Sequence, residues 1–497
     1  MMSGERILPL NNTSKFWGID MSKLDKYVKK VKGKSVTFIG MGISNMKAVE
    51  FFSKLGVTMS ARDKNPDPTY TPYGEGGEVV RVEPILQKMG VKCLFGDNYL
   101  DDLNEEIIVK TPGIRPDVDE LKKAVENGAT LTSEIEIVCA LCPCKIFAVT
   151  GSDGKTTTTT LIAKVLEKQA EEKGGKVYLG GNIGTPLICD LKKMRKKDSV
   201  VLELSSFQLM TMKFVPYSSV ITNISPNHLN WHNDMQEYVA SKQNIMRYQN
   251  IKCHATLNAE NEYTKRIARK THARVRLFSS KGPVPKKACA YYLNGDILYK
   301  RGLHKEKIIS SSQIFIRGTH NIENIMAAYL ATKHVVSKEN FVSAVEEFRG
   351  VRHRNEFVCE KNGVKYYNSS IDTTPTRTIA AIKSFDEPLV VICGGSDKNI
   401  PYDPMIDILE GKSRFIVTTG KTGLIIRDLL EKNGVSPKKY TYIEDFDSAV
   451  LEAEKHALPG DVVLLSPASA SFDSFRNFEV RGNRFCELVS KDVTEGD

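Results

Sequence analysis

Eight residues, Thr150-Gly151-Ser152-Asp153-Gly154-Lys155-Thr156-Thr157, stand between a short apolar run and a threonine-rich helical stretch. Glycines there let backbone N–H groups curl around phosphate oxygens, and the helix N-terminus adds partial positive charge. Lys155 is placed to neutralise β- and γ-phosphates, and Thr156 to offer its hydroxyl to Mg²⁺. The loop is shorter than GxxxxGK[ST] but keeps its GK[ST] ending. A plain glycine turn is the structural alternative; the strand–loop–helix setting favours a phosphate site. Glu203 follows at the end of a second apolar run, in Leu202-Glu203-Leu204-Ser205-Ser206-Phe207-Gln208-Leu209, where a P-loop fold holds a further magnesium contact. Alone, Glu203 would read equally well as a surface carboxylate. A third strand is expected over Ile221-Thr222-Asn223-Ile224, leading into Ser225-Pro226-Asn227-His228-Leu229-Asn230-Trp231-His232. One histidine is normally a hydrogen-bonded structural residue. Two histidines, two asparagines and a tryptophan at a strand end point instead to function.

Positioning these residues requires strands that end at a common edge. Short β-branched runs alternate with helical stretches along most of the chain, the pattern of parallel α/β sheets with crossover helices. Ser35–Ile39, Ile146–Val149, Val200–Leu204, Leu389–Cys393, Arg414–Thr418 and Asp461–Leu465 are strand candidates, and a helix is expected through Lys47–Lys54. They fall into three groups. The expected domains are 1–133, Rossmann-like; 134–350, a central P-loop domain; and 351–497, Rossmann-like again. No internal repeat or low-complexity tract interrupts them.

Bulk properties agree with a multidomain globular protein. The chain has 497 residues, 41% hydrophobic and 26% charged. No run approaches the roughly 18 apolar residues of a membrane span. Residues 1–30 lack a secretory signal, so a cytoplasmic protein is expected. Ten cysteines suit that compartment; Cys139, Cys142 and Cys144 have CxxC spacing but no second ligand pair, and read as structural. The formal charge of +10 suits anionic ligands. The run Lys192, Lys193, Arg195, Lys196 and Lys197 has no interleaved aromatics to stack on bases, and reads as a solvated helix face rather than a nucleic-acid site.

Taken in order, GSDGKTT, GGNIGTPL, LELSSFQL and SPNHLNWH resemble the Mur ligase superfamily of peptidoglycan synthesis. The likeness continues through Gly318-Thr319-His320-Asn321-Ile322-Glu323-Asn324 and Val351-Arg352-His353-Arg354-Asn355-Glu356. Leu465–Phe475 with Phe478-Glu479 and Arg481-Gly482 most resembles the branch that adds D-glutamate. The resemblance spans roughly residues 35 to 490. It implies an ATP- and Mg²⁺-dependent ligase that joins D-glutamate to UDP-N-acetylmuramoyl-L-alanine through an acyl phosphate, acting as a cytoplasmic monomer on small molecules without nucleic-acid or membrane partners.

By resemblance, the loop Thr150, Gly151, Ser152, Asp153, Gly154, Lys155 and Thr156 holds ATP, while Thr156, Glu203, His228 and Lys242 serve the magnesium sites. Lys242 matches a lysine that is carbamylated in the family; otherwise it would read as an ordinary helix-surface lysine. Asn321 and Asn324 match residues on the adenine or ribose side, and Arg354 an arginine reaching ATP from the third domain. Asn182 and Ser205 fall in segments that meet the UDP-muramoyl substrate, Asp63 near the uracil side. Thr373, Lys398, Ser471 and Phe478 match the glutamate pocket. Departures are visible: Ser369-Ser370-Ile371-Asp372-Thr373 stands where Asp-Ser-Lys-Ala-Thr is common, Asp153 where Asn is frequent, and Asn230 where Asp is frequent. Gly40-Met41-Gly42 lacks the third glycine of a dinucleotide fingerprint, which weighs against a NAD-dependent dehydrogenase. A folylpolyglutamate-synthase-like ligase would leave residues 35–134 and the SPASASFDSF end unexplained. Another muramoyl-peptide ligase and a non-catalytic nucleotide-binding module are the remaining alternatives.

Overall fold

The computed structural model describes residues 21–72, 79–397 and 400–491. Lys398, expected in the glutamate pocket, lies outside them. Three open sheets carry the fold. The first has five parallel strands in the order Lys92–Phe95, Thr58–Asp63, Ser35–Ile39, Ile107–Lys110 and Thr130–Thr132. The second has nine, with Lys145–Thr150 between Ser199–Glu203 and Ser218–Ile221, all parallel. The third has six, with Val462–Leu465 and Leu389–Gly394 parallel at its centre. The central strands are covered on both faces, which is why they read as unbroken apolar runs: Phe147, Ala148 and Val149 are all buried.

In the second sheet, chain direction across Lys145–Thr150 diverges: one connection leaves toward Ser199–Glu203 and another toward Ser218–Ile221. Ligands bind at such switch points, beyond the carboxyl ends of the strands. The 151–154 loop sits there, followed by the helix Lys155–Lys173. Ser35–Ile39 occupies the same place in the first sheet, followed by the Gly40–Gly42 turn and the helix Ile43–Phe52.

Several expected elements differ. The strand expected over Ile221–Ile224 is Ser218–Ile221, and Thr222 and Asn223 are freed to brace the phosphate loop. The first-domain helix begins at Ile43, earlier than Lys47, and ends at Phe52. The basic run 192–197 is an exposed turn rather than a helix face, since Leu191 and Met194 are buried around it. Cys289–Leu293, Asp296–Arg301 and His304–Ser310 extend the second sheet as an antiparallel meander, unlike the parallel pattern expected along most of the chain.

One apolar core runs continuously from the first sheet into the second, through Ile135, Val138, Leu187 and Ile188. Glu134 is buried at this seam, its Oε1 accepting from the Ile188 amide at 3.0 Å, and burial raises its pKa to about 7. The third sheet has cores of its own, one on each face. Its contacts to the rest include the Arg317–Glu387 ion pair, 2.6 Å, and a 2.7 Å bond from Arg476 to Thr71 Oγ1.

Candidate active site

A cavity of about 350 Å³ lies over the 151–154 loop. Its floor is Ser152 to Thr157; Asn321 and Asn324 form one wall, and Arg354, Ser369 and Asp372 of the third domain form the roof. Gly154 has φ +75°, and a Cβ there would collide with Asn324 Oδ1. A Cβ on Gly151 would strike Thr222 Oγ1. Side chains at either position are excluded, so backbone lines the phosphate site. The loop is fastened from below: Ser152 N–H donates to Asn223 O at 2.9 Å, and Asp153 N–H to Asn223 Oδ1 at 3.0 Å.

Two lysines from different helices converge on one oxygen. Lys155 Nζ donates to Gly151 O at 3.0 Å and to Ser152 O at 2.8 Å. Lys242 Nζ donates to the same Gly151 O at 2.7 Å. Lys242 is 2% exposed, on the helix Met235–Arg247, against the ring of Tyr238. Burial first, and then the neighbouring Lys155, lower its pKa to about 7. Burial also holds Lys155 below its ordinary value, against the pull of Glu203 and Asp153. The expectation of a surface lysine at 242, on residue type alone, is therefore wrong.

Glu203 ends the neighbouring strand, 1% exposed. Its Oε1 accepts from Asn182 Nδ2 at 2.8 Å, and its buried Oε2 has no partner among the described residues. A buried carboxylate oxygen without a partner is costly, and a divalent cation would relieve it. Arg354 Nε is likewise buried without a partner among the described residues, and burial, then Arg377, lower the pKa of its guanidinium. An anion is the complementary partner there. These two orphaned groups fit a magnesium–nucleotide complex. Among the described residues no three His, Cys, Asp or Glu side chains cluster as a metal site. Mg²⁺ commonly takes only one or two protein carboxylates together with phosphate and water oxygens. His228 sits at φ +56° with its ring against Phe207, centroids 5.0 Å apart, and burial with the nearby Lys155 and Lys242 lowers its pKa.

The remaining candidates are held in varied ways. Thr150 Oγ1 donates to Leu204 O at 2.7 Å, fixing the loop's entry, and Thr156 lines the cavity. Asn324 is a buried brace, accepting from Thr158 Oγ1 at 3.2 Å and donating to Asn321 Oδ1 at 3.1 Å. Ser205 caps the short helix Ser206–Leu209. Asp63 Oδ2 accepts from Met41 N at 2.6 Å, shaping the Gly40–Gly42 turn. Thr373 and the buried Ser471 lie in the loops that follow the strands Val364–Asn368 and Val462–Leu465, and the Phe478 carbonyl accepts from Ser370 Oγ at 2.7 Å. Arg481 binds the same region through the carbonyls of Ala470, Ser370 and Ser469.

Arg377, His320 and Asp372 are among the cavity residues that escaped nomination from sequence. Asp372 accepts from Ser466 Oγ at 3.0 Å, and burial raises its pKa. The available signal was its placement in the Ser369–Thr373 segment, where the chain departs from the common pattern.

Residues 149–332 match the Mur ligase middle domain, and residues 353–469 match the Mur ligase glutamate ligase domain. A UDP-N-acetylmuramoylalanine–D-glutamate ligase of Ruminiclostridium cellulolyticum is 44% identical over 476 residues, covering 94% of this chain and 99% of the relative. Its counterpart in Clostridium novyi is 43% identical over 466 residues, covering 93% and 97%. Among solved structures, a UDP-N-acetylmuramate–alanine ligase from Thermotoga maritima aligns with TM-score 0.54 and 21% identity, over 92% of this chain and all of the other. That likeness speaks for the fold. The near-complete coverage at over 40% identity speaks for descent: the chain belongs to the Mur ligase family.

Proposed function

We propose that the protein uses ATP to join D-glutamate to the alanyl carboxylate of UDP-N-acetylmuramoyl-L-alanine. The observation that carries this is the pair of lysines on Gly151 O, beside the partnerless Glu203 oxygen and beneath Arg354. Phosphate-binding backbone and a cation from a separate domain meet in one cavity, and the metal-ready carboxylate of Glu203 is near enough to act on both Lys155 and Arg354. The curated relatives named as D-glutamate ligases supply the substrate identities.

Thr156, Glu203, His228 and a carbamylated Lys242 would hold Mg²⁺, which when bound neutralises charge on the transferring phosphoryl group. Lys242 with a pKa of about 7 is substantially uncharged at neutral pH. Its free amine can add CO₂ and release one proton, turning a cation that would repel Mg²⁺ into an anion that attracts it. Lys155 and Arg354, which line the cavity from opposite domains, would face the phosphates. The substrate carboxylate attacks the γ-phosphorus, ADP leaves, and an acyl phosphate results. The amine of D-glutamate then attacks that carbonyl; the nitrogen loses a proton and phosphate departs with the C–O bonding pair. Thr373, Lys398, Ser471 and Phe478 would orient the glutamate, while the Gly40–Gly42 turn and Asp63 would receive the UDP portion. Small, soluble substrates support a cytoplasmic enzyme, and our reading takes it as a monomer without nucleic-acid or membrane partners. No described helix is long and apolar enough to cross a membrane.

The direct test is phosphate release with ATP, Mg²⁺ and UDP-N-acetylmuramoyl-L-alanine, offering D-glutamate, L-glutamate, D-aspartate or L-lysine. Release should depend on D-glutamate and on the UDP substrate together. Equal or faster turnover with another amino acid refutes the glutamate assignment.

A further inference from the structure

Arg115 belongs to the first domain by sequence, yet it grips the second. Its Nη1 donates to Trp231 O at 2.7 Å and to Glu237 Oε2 at 3.1 Å, and its Nη2 to Glu237 Oε1 at 2.9 Å. Its guanidinium also lies 4.9 Å from the Trp231 ring centroid. Asp117 takes the outer edge through Nε at 2.8 Å and Nη2 at 2.7 Å. This is bidentate, charge-assisted binding of a kind that fixes geometry as well as charge. The indole is tied back in turn: Trp231 Nε1–H donates to Gly113 O at 3.1 Å.

Trp231 supports the ring on which His228 rests. Phe207 lies 4.4 Å from Trp231 and 5.0 Å from His228, centroid to centroid. His228 holds a left-handed backbone, φ +56°, with its carbonyl accepting from Trp231 N at 3.1 Å and His232 N at 3.0 Å. A non-glycine residue keeps that conformation only where its surroundings impose it. On the first-domain side, Thr111 N donates to Ile39 O at 2.9 Å, and the Thr111 methyl fills the space beside Gly40. The Gly40 turn, Thr111, Gly113, Trp231, Phe207 and His228 thus form one continuous packed chain.

We propose that Arg115 is a positioning residue, locking Trp231 so that occupancy of the Gly40–Gly42 turn sets the orientation of His228. This role presupposes the ligase function above. It makes formation of the metal site dependent on the UDP substrate, so that ATP is not spent without an acceptor.

The chain has two tryptophans, Trp17 and Trp231, so Trp17→Phe leaves Trp231 as the sole indole reporter. In that background UDP-N-acetylmuramoyl-L-alanine is titrated while tryptophan emission is followed, and Mg²⁺ activation is measured in the ligation assay. The parent should show an emission shift on binding. Arg115→Met should abolish the shift and raise the half-activating Mg²⁺ concentration about tenfold, with kcat at saturating Mg²⁺ within about threefold, an ordinary strength for coupling between sites. Arg115→Lys keeps the charge but loses the fork, and should fall between. If Arg115→Met does not fold, Arg115→Lys carries both readouts. A full-sized shift in the variants, or a fall in kcat with unchanged Mg²⁺ requirement, overturns the proposal. A parent that ligates normally without any Trp231 shift refutes the linkage alone. A parent that shows the shift but forms no amide refutes the ligase function, and with it the metal linkage, while the contact from the Gly40–Gly42 turn to Trp231 is upheld.

Discussion

Lys155 and Lys242 share one carbonyl acceptor, so the loop holds both side chains beside the phosphate site. Lys242→Ala should lower kcat by about 10²- to 10³-fold, the usual cost of one electrostatic contact at a transferring group. Added acetate should partly restore turnover by supplying the missing carboxylate. An alanine variant with full activity removes Lys242 from the site. Residue identity alone hid this lysine, but spacing did not: Tyr238, Ser241, Lys242, Ile245 and Met246 form the buried stripe of their helix, and Lys242 stands in it. His254 illustrates what sequence could not reveal. It is 4% exposed, against Arg276 at 3.0 Å, and burial lowers its pKa to about 4. The unfolded chain protonates near pH 6.5, so stability is intact above that value and is lost as pH falls toward 4. Urea midpoints measured from pH 7 to pH 4 should fall steeply, and less so in His254→Gln. Parallel curves for the two proteins would contradict this role.

Elements explain which motifs were readable. The loop 151–154 joins a strand to a helix at a switch point, and both its glycines and its context are local in sequence. Gly154 at φ +75° tolerates no Cβ, because left-handed backbone and Asn324 both oppose it. Gly154→Ala should cost at least about 1–2 kcal/mol of stability and weaken ATP binding. An unchanged melting temperature with normal ATP affinity would show that the loop can re-form around a side chain. The partners beneath the loop were less legible. Thr222 and Ile224 look like strand continuation by β-propensity, but hydrogen bonds from Thr222 to Asp153 O and from Asp153 N–H to Asn223 draw the segment out of the sheet. The meander from Cys289 to Ser310 was missed for a related reason: alternate burial in Asp296–Arg301 is plain only once its neighbours are known.

At the scale of the molecule, the first two domains share a core while the third packs around its own, joined by polar contacts such as Arg317–Glu387 and Arg476–Thr71. That division suits a third domain that closes on the other two, bringing Arg354 over the phosphates and screening a reactive acyl phosphate from water. The grouping of strands into three sets was legible from the alternation of strand and helix. The seam at Glu134 and the Arg115 grip were not, because each joins residues more than fifty positions apart. The acyl phosphate makes one demand that no other route shares. With ¹⁸O placed in the alanyl carboxylate of UDP-N-acetylmuramoyl-L-alanine, and D-glutamate, ATP and Mg²⁺ supplied, one labelled oxygen should appear in each phosphate released. Amide product accompanied by unlabelled phosphate would contradict the mechanism.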